Sequence, residues 1–247
     1  LHTAHAAGTG LMSAYLAKDG FTGAKQILEG KQGMAAGMST DSDVTKLTDR
    51  LGSRWATAET SFKFHASCRH THPAADALLQ VMRDNHLKID DLKKVTTHVH
   101  QGAIDVLGPV VNPATVHQSK FSMGTVLSLA AKFGFAGLSE FDEHFKSADI
   151  TDLRDRVCME LDPEVDSAYP NRWIGKVTVE TKTGKILTGR VDEPKGDPGN
   201  TLSRDEIEDK ALRIGLYANG ATPEEMKQAI ASLWRIETAA QVGVLLP

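Results

Sequence analysis

Patterns typical of β-strands occur only in the middle of this 247-residue sequence, and segments typical of helices lie on both sides. Residues 95–101 alternate between apolar and polar, which predicts a strand, and two further runs at 173–181 and 185–191 predict a hairpin. This order predicts an α+β fold in which a mainly helical domain is interrupted in sequence by a smaller α+β domain. The predicted boundaries are 1–62 and 203–247 for the helical domain and 63–202 for the inserted one.

Helix boundaries follow from local signals. Gly20 marks the end of the first helix, and Thr222 before Pro223 is a good N-cap followed by proline in the first turn. The predicted helices are 5–17, 21–30, 44–51, one that begins near Pro73, 119–134, 138–145, one from Asp152, one near Ser203 and one at Thr222. Residues 34–42, rich in Gly, Ser and Thr, are predicted to be a loop.

The composition excludes several classes of partner. The chain has 28 Lys and Arg against 32 Asp and Glu, a net charge of −4 that is spread evenly. No segment has the excess of positive charge that nucleic acid or an anionic membrane would require, and no apolar run approaches the ~20 residues of a membrane span. Cys68 and Cys158 form no disulfide framework, so we expect a reducing compartment and a cytoplasmic protein.

The densest cluster of reactive side chains is the segment Lys63–Pro73, just before a predicted helix. It contains three histidines, a cysteine, an arginine and a lysine. A helix N-terminus favours negative charge, and Arg69 can bind a carboxylate through two hydrogen bonds. A histidine there can exchange protons near neutral pH. The alternative is a surface connector with a run of polar residues.

Lys120 is a second candidate, because it also stands at the start of an apolar helix. Its ammonium group could bind a carboxylate or stabilise an enolate-like charge. A solvated lysine near a helix start explains the pattern equally well.

Two His-x-His pairs raise the question of a metal. Neither His70-x-His72 nor His98-x-His100 is followed by an acidic third ligand at a recognised spacing, so no metal site is predicted. His98 and His100 are expected to be partly exposed on the solvent face of a strand. The sequence also lacks the glycine-rich loops of nucleotide sites and the Gly-x-Ser-x-Gly motif of hydrolases.

The sequence resembles the MmgE/PrpD family at several places along its length. Leu1–Leu11 (LHTAHAAGTGL) and residues 16–23 (LAKDGFTG) are similar to the middle of a family member, and 64–78 is similar to its histidine segment. Residues 118–122 (QSKFS) and 194–200 (PKGDPGN) fit the same family further on. The matches follow the family's order and cover nearly the whole chain.

The resemblance implies a helical domain with an inserted α+β domain, assembled as a homodimer. Family members include 2-methylcitrate dehydratase, cis-aconitate decarboxylase and iminodisuccinate epimerase, which act on small di- or tricarboxylates without metal, iron–sulfur cluster or organic cofactor. His72 matches the family's active-site histidine, with His70 as the second choice. A functional lysine of the family lies just upstream of Leu1, so the chain is expected to be about the C-terminal half of a member, from a truncated or divided polypeptide.

We therefore expect a cofactor-independent, dehydratase-like lyase that moves a proton at a carbon next to a carboxylate. His72 would be the general acid and base, and Arg69, His70 and Lys120 would bind the small polycarboxylate substrate. Two alternatives stay open. An epimerase or isomerase would use the same proton abstraction, and an incomplete structural fragment would have no activity.

Overall fold

The α+β fold is confirmed in a computed structural model, which describes residues 1–239. The chain divides into two compact units, Leu1–Trp55 and a second that begins at Ala56. Residues 240–247, the end of the predicted segment 203–247, lie outside the described part, and the predicted domain boundaries stay a prediction. None of the helices in the described part is both long and apolar enough to cross a membrane.

The helices are α1 His2–Lys18, α2 Met34–Met38, α3 His72–Asp84, α4 Gln101–Leu107, α5 Val116–Ser119, α6 Met123–Phe133, α7 Leu138–His144, α8 Ala148–Arg154, α9 Pro163–Ala168, α10 Arg204–Leu216 and α11 Pro223–Leu233. The strands are β1 Leu92–Val99, β2 Val157–Leu161, β3 Gly175–Thr181 and β4 Ile186–Val191. Short 3₁₀ turns occur at Val44–Leu47, Ala56–Glu59, Arg69–Thr71, Ile89–Asp91, Pro198–Asn200, Tyr217–Asn219 and Ile236–Thr238.

The first unit differs from the sequence prediction after α1. Residues 21–30, predicted to be helical, form turns, whereas α2 lies in the predicted loop. The backbone N–H of Met34 donates to the carbonyl of Ile27 at 2.7 Å, and that of Ala35 donates to Leu28 at 3.1 Å. The carbonyl groups of Ile27 and Leu28 are therefore bonded to the start of α2. They do not accept the hydrogen bonds, from residues four positions later, that a helix over 21–30 would need.

The second unit contains a four-stranded sheet in the order β2-β1-β3-β4. The hairpin of β3 and β4 is confirmed, and its turn contains Gly184 at a φ of +85°, a conformation that glycine adopts readily. Strand β2 was not predicted; it runs parallel to β1, with Val157 opposite Val95. A helix was predicted from Asp152, but α8 ends at Arg154. After Arg154 the chain becomes extended, because residues 157–161 pair with β1, a strand that lies some sixty positions earlier in the sequence.

Helix α3 lies against one face of this sheet. Leu78 and Val81 of α3 are buried in the same core as Val95 of β1 and Val177 of β3, and Leu127 of α6 packs into it as well. The helix approaches the hairpin so closely that a Cβ added at Gly189 would lie 2.6 Å from the Ala77 carbonyl oxygen. The close packing holds α3, at whose start the candidate site lies, against the hairpin.

Candidate active site

The segment Lys63–Pro73 enters α3 as a hydrogen-bonded turn. The Thr71 hydroxyl donates to the Cys68 carbonyl at 2.8 Å and lies 2.9 Å from the Ser67 hydroxyl. The backbone N–H of Cys68 donates to the carbonyl oxygen of Lys120 at 2.9 Å. These bonds fix the course of the segment, and they bring the backbones of the two candidate regions together.

His72, the predicted general acid and base, is the first residue of α3 and is completely buried. Neither of its ring nitrogens makes a hydrogen bond of normal geometry, and the Ser67 backbone carbonyl is close enough only for a weak one. Its pKa lies well below the ordinary value of 6.5, chiefly because of burial, and the neighbouring charges of His65, Arg69 and Lys63 lower it further. The Ser67 carbonyl acts in the opposite direction. The ring is therefore neutral at neutral pH and can accept a proton.

His65 lies directly beside His72, with ring centroids 5.1 Å apart and planes at 72°. Its Nδ1 accepts a hydrogen bond from the backbone N–H of Ala136 at 3.1 Å. The proton of the neutral ring is therefore on Nε2, which lies 3.5 Å from an Asp76 carboxylate oxygen. Asp76 also accepts the backbone N–H of Lys195. The sequence prediction did not assign a role to His65 or Asp76. The only signal was three histidines within eight positions.

Arg69 is close enough to lower the pKa of His72, but its guanidinium group is already engaged. It forms an ion pair with Asp197 and lies 5.2 Å from the centre of the Trp173 ring. One terminal nitrogen, Nη1, is buried without a hydrogen-bond partner. A substrate carboxylate at this position would therefore use Nη1 or replace Asp197.

His70 points into a different group of rings from His72. Its Nδ1 lies 3.1 Å from Nε2 of His100, and the His100 ring stacks on Tyr169 with centroids 3.8 Å apart. Burial is the main cause that lowers the pKa of both histidines. The expectation that His100 is partly exposed was wrong: only 6% of the residue is exposed, because Tyr169 and Trp173 cover it.

The backbone carbonyl of Lys120 contacts the site, because it accepts the hydrogen bond from the Cys68 N–H. The ammonium group of Lys120 extends toward α7 instead. The Nζ atom lies 5.7 Å from the centre of the Phe141 ring, within the range of a cation–π contact. The side chain is half-buried. The structure therefore places His65, His72 and Arg69 together, with His70 and Lys120 directed to either side.

A cleft of about 670 Å³ opens beside His65, which forms part of its wall. The cleft runs between the segment that precedes α3, the start of α7 and the end of α10. Lys63, Lys210 and Arg213 bring positive charge to it. Its apolar walls are Phe64, Phe135, Leu138, Ile214 and Leu216. Glu140 and Glu143 also line the cleft, so the arrangement is suited to a negatively charged molecule only at its positive side, next to the His65 imidazole.

Two family models match this chain, one in each of its two parts. The MmgE/PrpD C-terminal domain matches residues 65–236, and the MmgE/PrpD N-terminal domain matches residues 1–47. The chain belongs to the MmgE/PrpD family. The segment with His65, Arg69 and His72 therefore begins the family's C-terminal domain.

Two fungal relatives of this MmgE/PrpD chain illustrate the similarity. The cis-aconitate decarboxylase-like protein oryM of Aspergillus oryzae is 27% identical over 261 residues, which cover 98% of this chain and 53% of that protein. The cis-aconitate decarboxylase of Aspergillus terreus is 24% identical over 208 residues, which cover 77% of this chain and 42% of that protein. The chain spans about half the length of the curated relatives it matches.

The two His-x-His pairs of the MmgE/PrpD chain meet through only one histidine of each. His72 is buried beside His65, and His70 bonds to His100, whereas His98 lies 2.9 Å from the Thr178 hydroxyl. Among residues 1–239, no group of three or more His, Cys, Asp or Glu side chains is arranged to hold a metal ion.

Proposed function

We propose that this chain carries part of the active site of a cofactor-independent lyase, which removes carbon dioxide or water from a small di- or tricarboxylate. One observation carries the proposal: the buried pair His65 and His72 lies beside the positive charges of Lys63 and Arg69, and His72 is kept neutral. The membership of the family and the similarity to the two Aspergillus proteins support the choice of reaction. We also expect a homodimer.

The reaction requires a base next to a cluster of positive charge. A carbon next to a carboxylate is a very weak acid, so the negative charge that develops on it must be stabilised by cations. In a dehydration, the base takes the proton, the electron pair forms the C=C bond, and hydroxide leaves with a proton as water. In a decarboxylation, the C–CO₂ bond breaks, and an acid delivers a proton to the carbon that keeps the electron pair.

His65 and His72 would share this proton transfer. Both rings are completely buried, but His65 is one of the residues that line the cleft, whereas His72 is in contact with the far side of His65 and does not line it. The low pKa of His72 keeps it ready to accept a proton, and once protonated it gives the proton back readily. Asp76, near Nε2 of His65, would stabilise the pair when it carries the proton.

Lys63 and Lys210 would bind the substrate carboxylates, since both line the cleft. Arg69 could add one donor through its unpartnered Nη1. His70 and Lys120, also expected to bind substrate, lie at the edges of the site and would do so only with a larger substrate. The decarboxylase names of the relatives make cis-aconitate the first acid to test.

The test is a panel of small acids with the protein at its natural length. cis-Aconitate, 2-methylcitrate and citrate would be incubated with the protein, while released carbon dioxide and alkene absorbance are recorded. We expect turnover of at least one acid, and a loss of ~10²–10⁴-fold in kcat for His72→Gln, the range of general acid–base catalysis.

His98→Gln is the matched control, because His98 lies on β1 and contacts Thr178 outside the cluster. The control should keep kcat within about twofold. Full turnover by the His72→Gln protein would contradict the assignment of His72. Racemisation of an acid without release of carbon dioxide or water would contradict the proposed lyase and support an epimerase.

A further inference from the structure

The segment Glu193–Asn200, which follows β4, is a loop that is bonded to itself. The backbone N–H of Gly196 donates to the Asn200 carbonyl at 2.8 Å, and the Asn200 side chain donates to the Glu193 carbonyl at 3.0 Å. The N–H of Asn200 donates in turn to the Asp197 carbonyl at 2.9 Å. These bonds give the loop a defined shape. The proton transfer proposed above makes no use of it.

The loop is also bonded to its surroundings. The N–H of Phe62 donates to the Gly196 carbonyl at 2.8 Å. Gly196 has a φ of +99°, and a Cβ there would collide with the carbonyl oxygen of Phe62, so any other residue would be strained. The ammonium group of Lys195 pairs with Glu206, in the first turn of α10, at 2.9 Å. The loop is therefore fixed against α10 and against the segment that leads into the candidate site.

Two charged groups of the candidate site are bound to this loop. The Arg69 guanidinium pairs with the Asp197 carboxylate, and the Asp76 carboxylate accepts a backbone N–H of the loop. Arg69 is close enough to His72 to lower its pKa. Asp76 lies 3.5 Å from Nε2 of His65. One loop therefore holds a cation near one ring of the pair and an anion near the other.

Burial indicates that Asp197 is a lasting partner of Arg69. Only 6% of Asp197 is exposed, and 16% of the Arg69 side chain. The Trp173 ring lies against the guanidinium group. A buried charge without its partner is costly, so the position of Arg69 depends on the carboxylate that meets it. A substrate would then reach Arg69 through Nη1, which is buried without a hydrogen-bond partner.

We propose that the Glu193–Asn200 loop is a positioning element for the histidine pair. Asp197 is its positioning residue, and it acts on proton transfer by holding the Arg69 guanidinium near His72. The kinetic consequence rests on the proposed function, whereas the effect on His72 does not. The alternative is a clamp that only stabilises the fold.

The direction in which the titration of His72 moves separates these two roles. Burial is the main cause that lowers the pKa of His72, and His65, Arg69 and Lys63 lower it further. In Asp197→Ala the guanidinium loses its partner and turns toward solvent, so its effect is lost and the pKa of His72 rises. Loss of the Asp197 charge alone would lower this pKa, because a negative charge favours the protonated ring. A rise therefore reports the displacement of Arg69.

Nitrogen NMR of the protein at its natural length, with ¹⁵N-labelled histidine, measures the titration. The His72 signals are assigned by their loss in His72→Gln. We expect His72 to titrate at a higher pH in Asp197→Ala than in the unmodified protein, and at a higher pH in Arg69→Met as well. The double variant should show no rise beyond that of Arg69→Met, because Asp197 acts through Arg69.

Asp192→Ala is the matched control. Asp192 also forms ion pairs with arginine, but it is 55% exposed and lies outside the loop, so the titration of His72 should not change. Circular dichroism checks the fold of each variant. If Asp197→Ala does not fold, Gly196→Ala replaces it; this variant strains the loop without altering a charge and should also raise the pKa of His72. An unchanged or lowered pKa of His72 would overturn the proposal, as would an equal rise in the Asp192 control.

Steady-state kinetics on the best acid of the panel adds the arm that rests on the proposed function. We expect kcat of Asp197→Ala to fall by roughly 10- to 100-fold, since misplacement of a group by about 1 Å can cost 100-fold. The acidic limb of the pH profile of kcat/KM should move to higher pH, because His72 must be neutral to accept a proton.

The two proposals can fail separately. A higher pKa of His72 in Asp197→Ala, without turnover of any acid by the unmodified protein, would contradict the lyase and support the positioning role. An active unmodified protein whose kcat and pH profile are the same in Asp197→Ala would support the lyase and contradict the positioning role.

Discussion

Two pairs of histidines in the candidate site differ in how their ring nitrogens are used. His70 and His100 bond to each other at 3.1 Å, and Tyr169 stacks on His100. His65 and His72 meet edge to face without a bond between them, and both nitrogens of His72 are unpartnered. The first pair leaves one buried nitrogen without a partner, Nδ1 of His100, whereas the second pair leaves three, Nε2 of His65 and both nitrogens of His72. A buried polar group without a partner is costly, and such groups persist mainly where function requires them. The first pair is therefore better suited to holding structure, and the second to moving a proton.

The largest contrast between the pairs is expected in turnover. His65→Gln should lower kcat by about 100-fold, because it removes the imidazole that lines the cleft and contacts His72. His100→Gln should keep kcat within about threefold, since His100 lies in the structural pair. Steady-state kinetics on the best acid of the panel measures both values of kcat. Similar losses in the two variants would contradict the assignment of one pair to proton transfer and the other to structure.

A smaller effect is expected from Gly175, the first residue of β3, which packs against the first turn of α3. A Cβ at this position would lie 2.0 Å from the carbonyl oxygen of Pro73, the residue after His72. Gly175→Ala must therefore push β3 away from the first turn of α3, and should lower the free energy of unfolding by about 1–3 kcal/mol. Urea denaturation measures the loss.

Gly10→Ala serves as the control for this substitution. A Cβ at Gly10, within α1, would meet nothing within 4 Å, and alanine favours a helix by about 1 kcal/mol over glycine. If Gly175→Ala proved as well tolerated as Gly10→Ala, the close contact with Pro73 would not hold the site in place.

The smallest effect is a dependence of stability on pH. The folded-state pKa of His72 lies well below its unfolded value of about 6.5. Below pH 6.5 the unfolded chain therefore binds a proton that the folded chain does not, and stability falls by up to about 1.4 kcal/mol per pH unit from this residue. The full contribution is present above pH 6.5.

Unfolding by urea between pH 5 and 8 tests this sign. His72→Gln should flatten the decline more than His100→Gln does, because the pKa of His72 is displaced further. A decline that is the same in His72→Gln and in the unmodified protein would show that other groups cause it.

The sequence was most informative where the signals were local. The predicted helix starts near Ser203 and at Thr222 are confirmed as the N-caps of α10 and α11, and each cap also forms reciprocal hydrogen bonds with a glutamate three residues later. The hairpin of β3 and β4 followed from alternation and a Thr-Gly turn. Strand β2 escaped prediction, because its five residues alternate weakly and its formation depends on β1, some sixty positions earlier.

The candidate site shows the same division. The sequence by itself determined the family, the α+β class and the segment in which His65, Arg69, His70 and His72 stand close together. Only the tertiary structure decided that His72 is buried beside His65, that Arg69 pairs with Asp197, and that His70 bonds to His100. The physical reason is that spacing along one chain sets local conformation, whereas burial and charge pairing depend on residues that folding brings in from elsewhere.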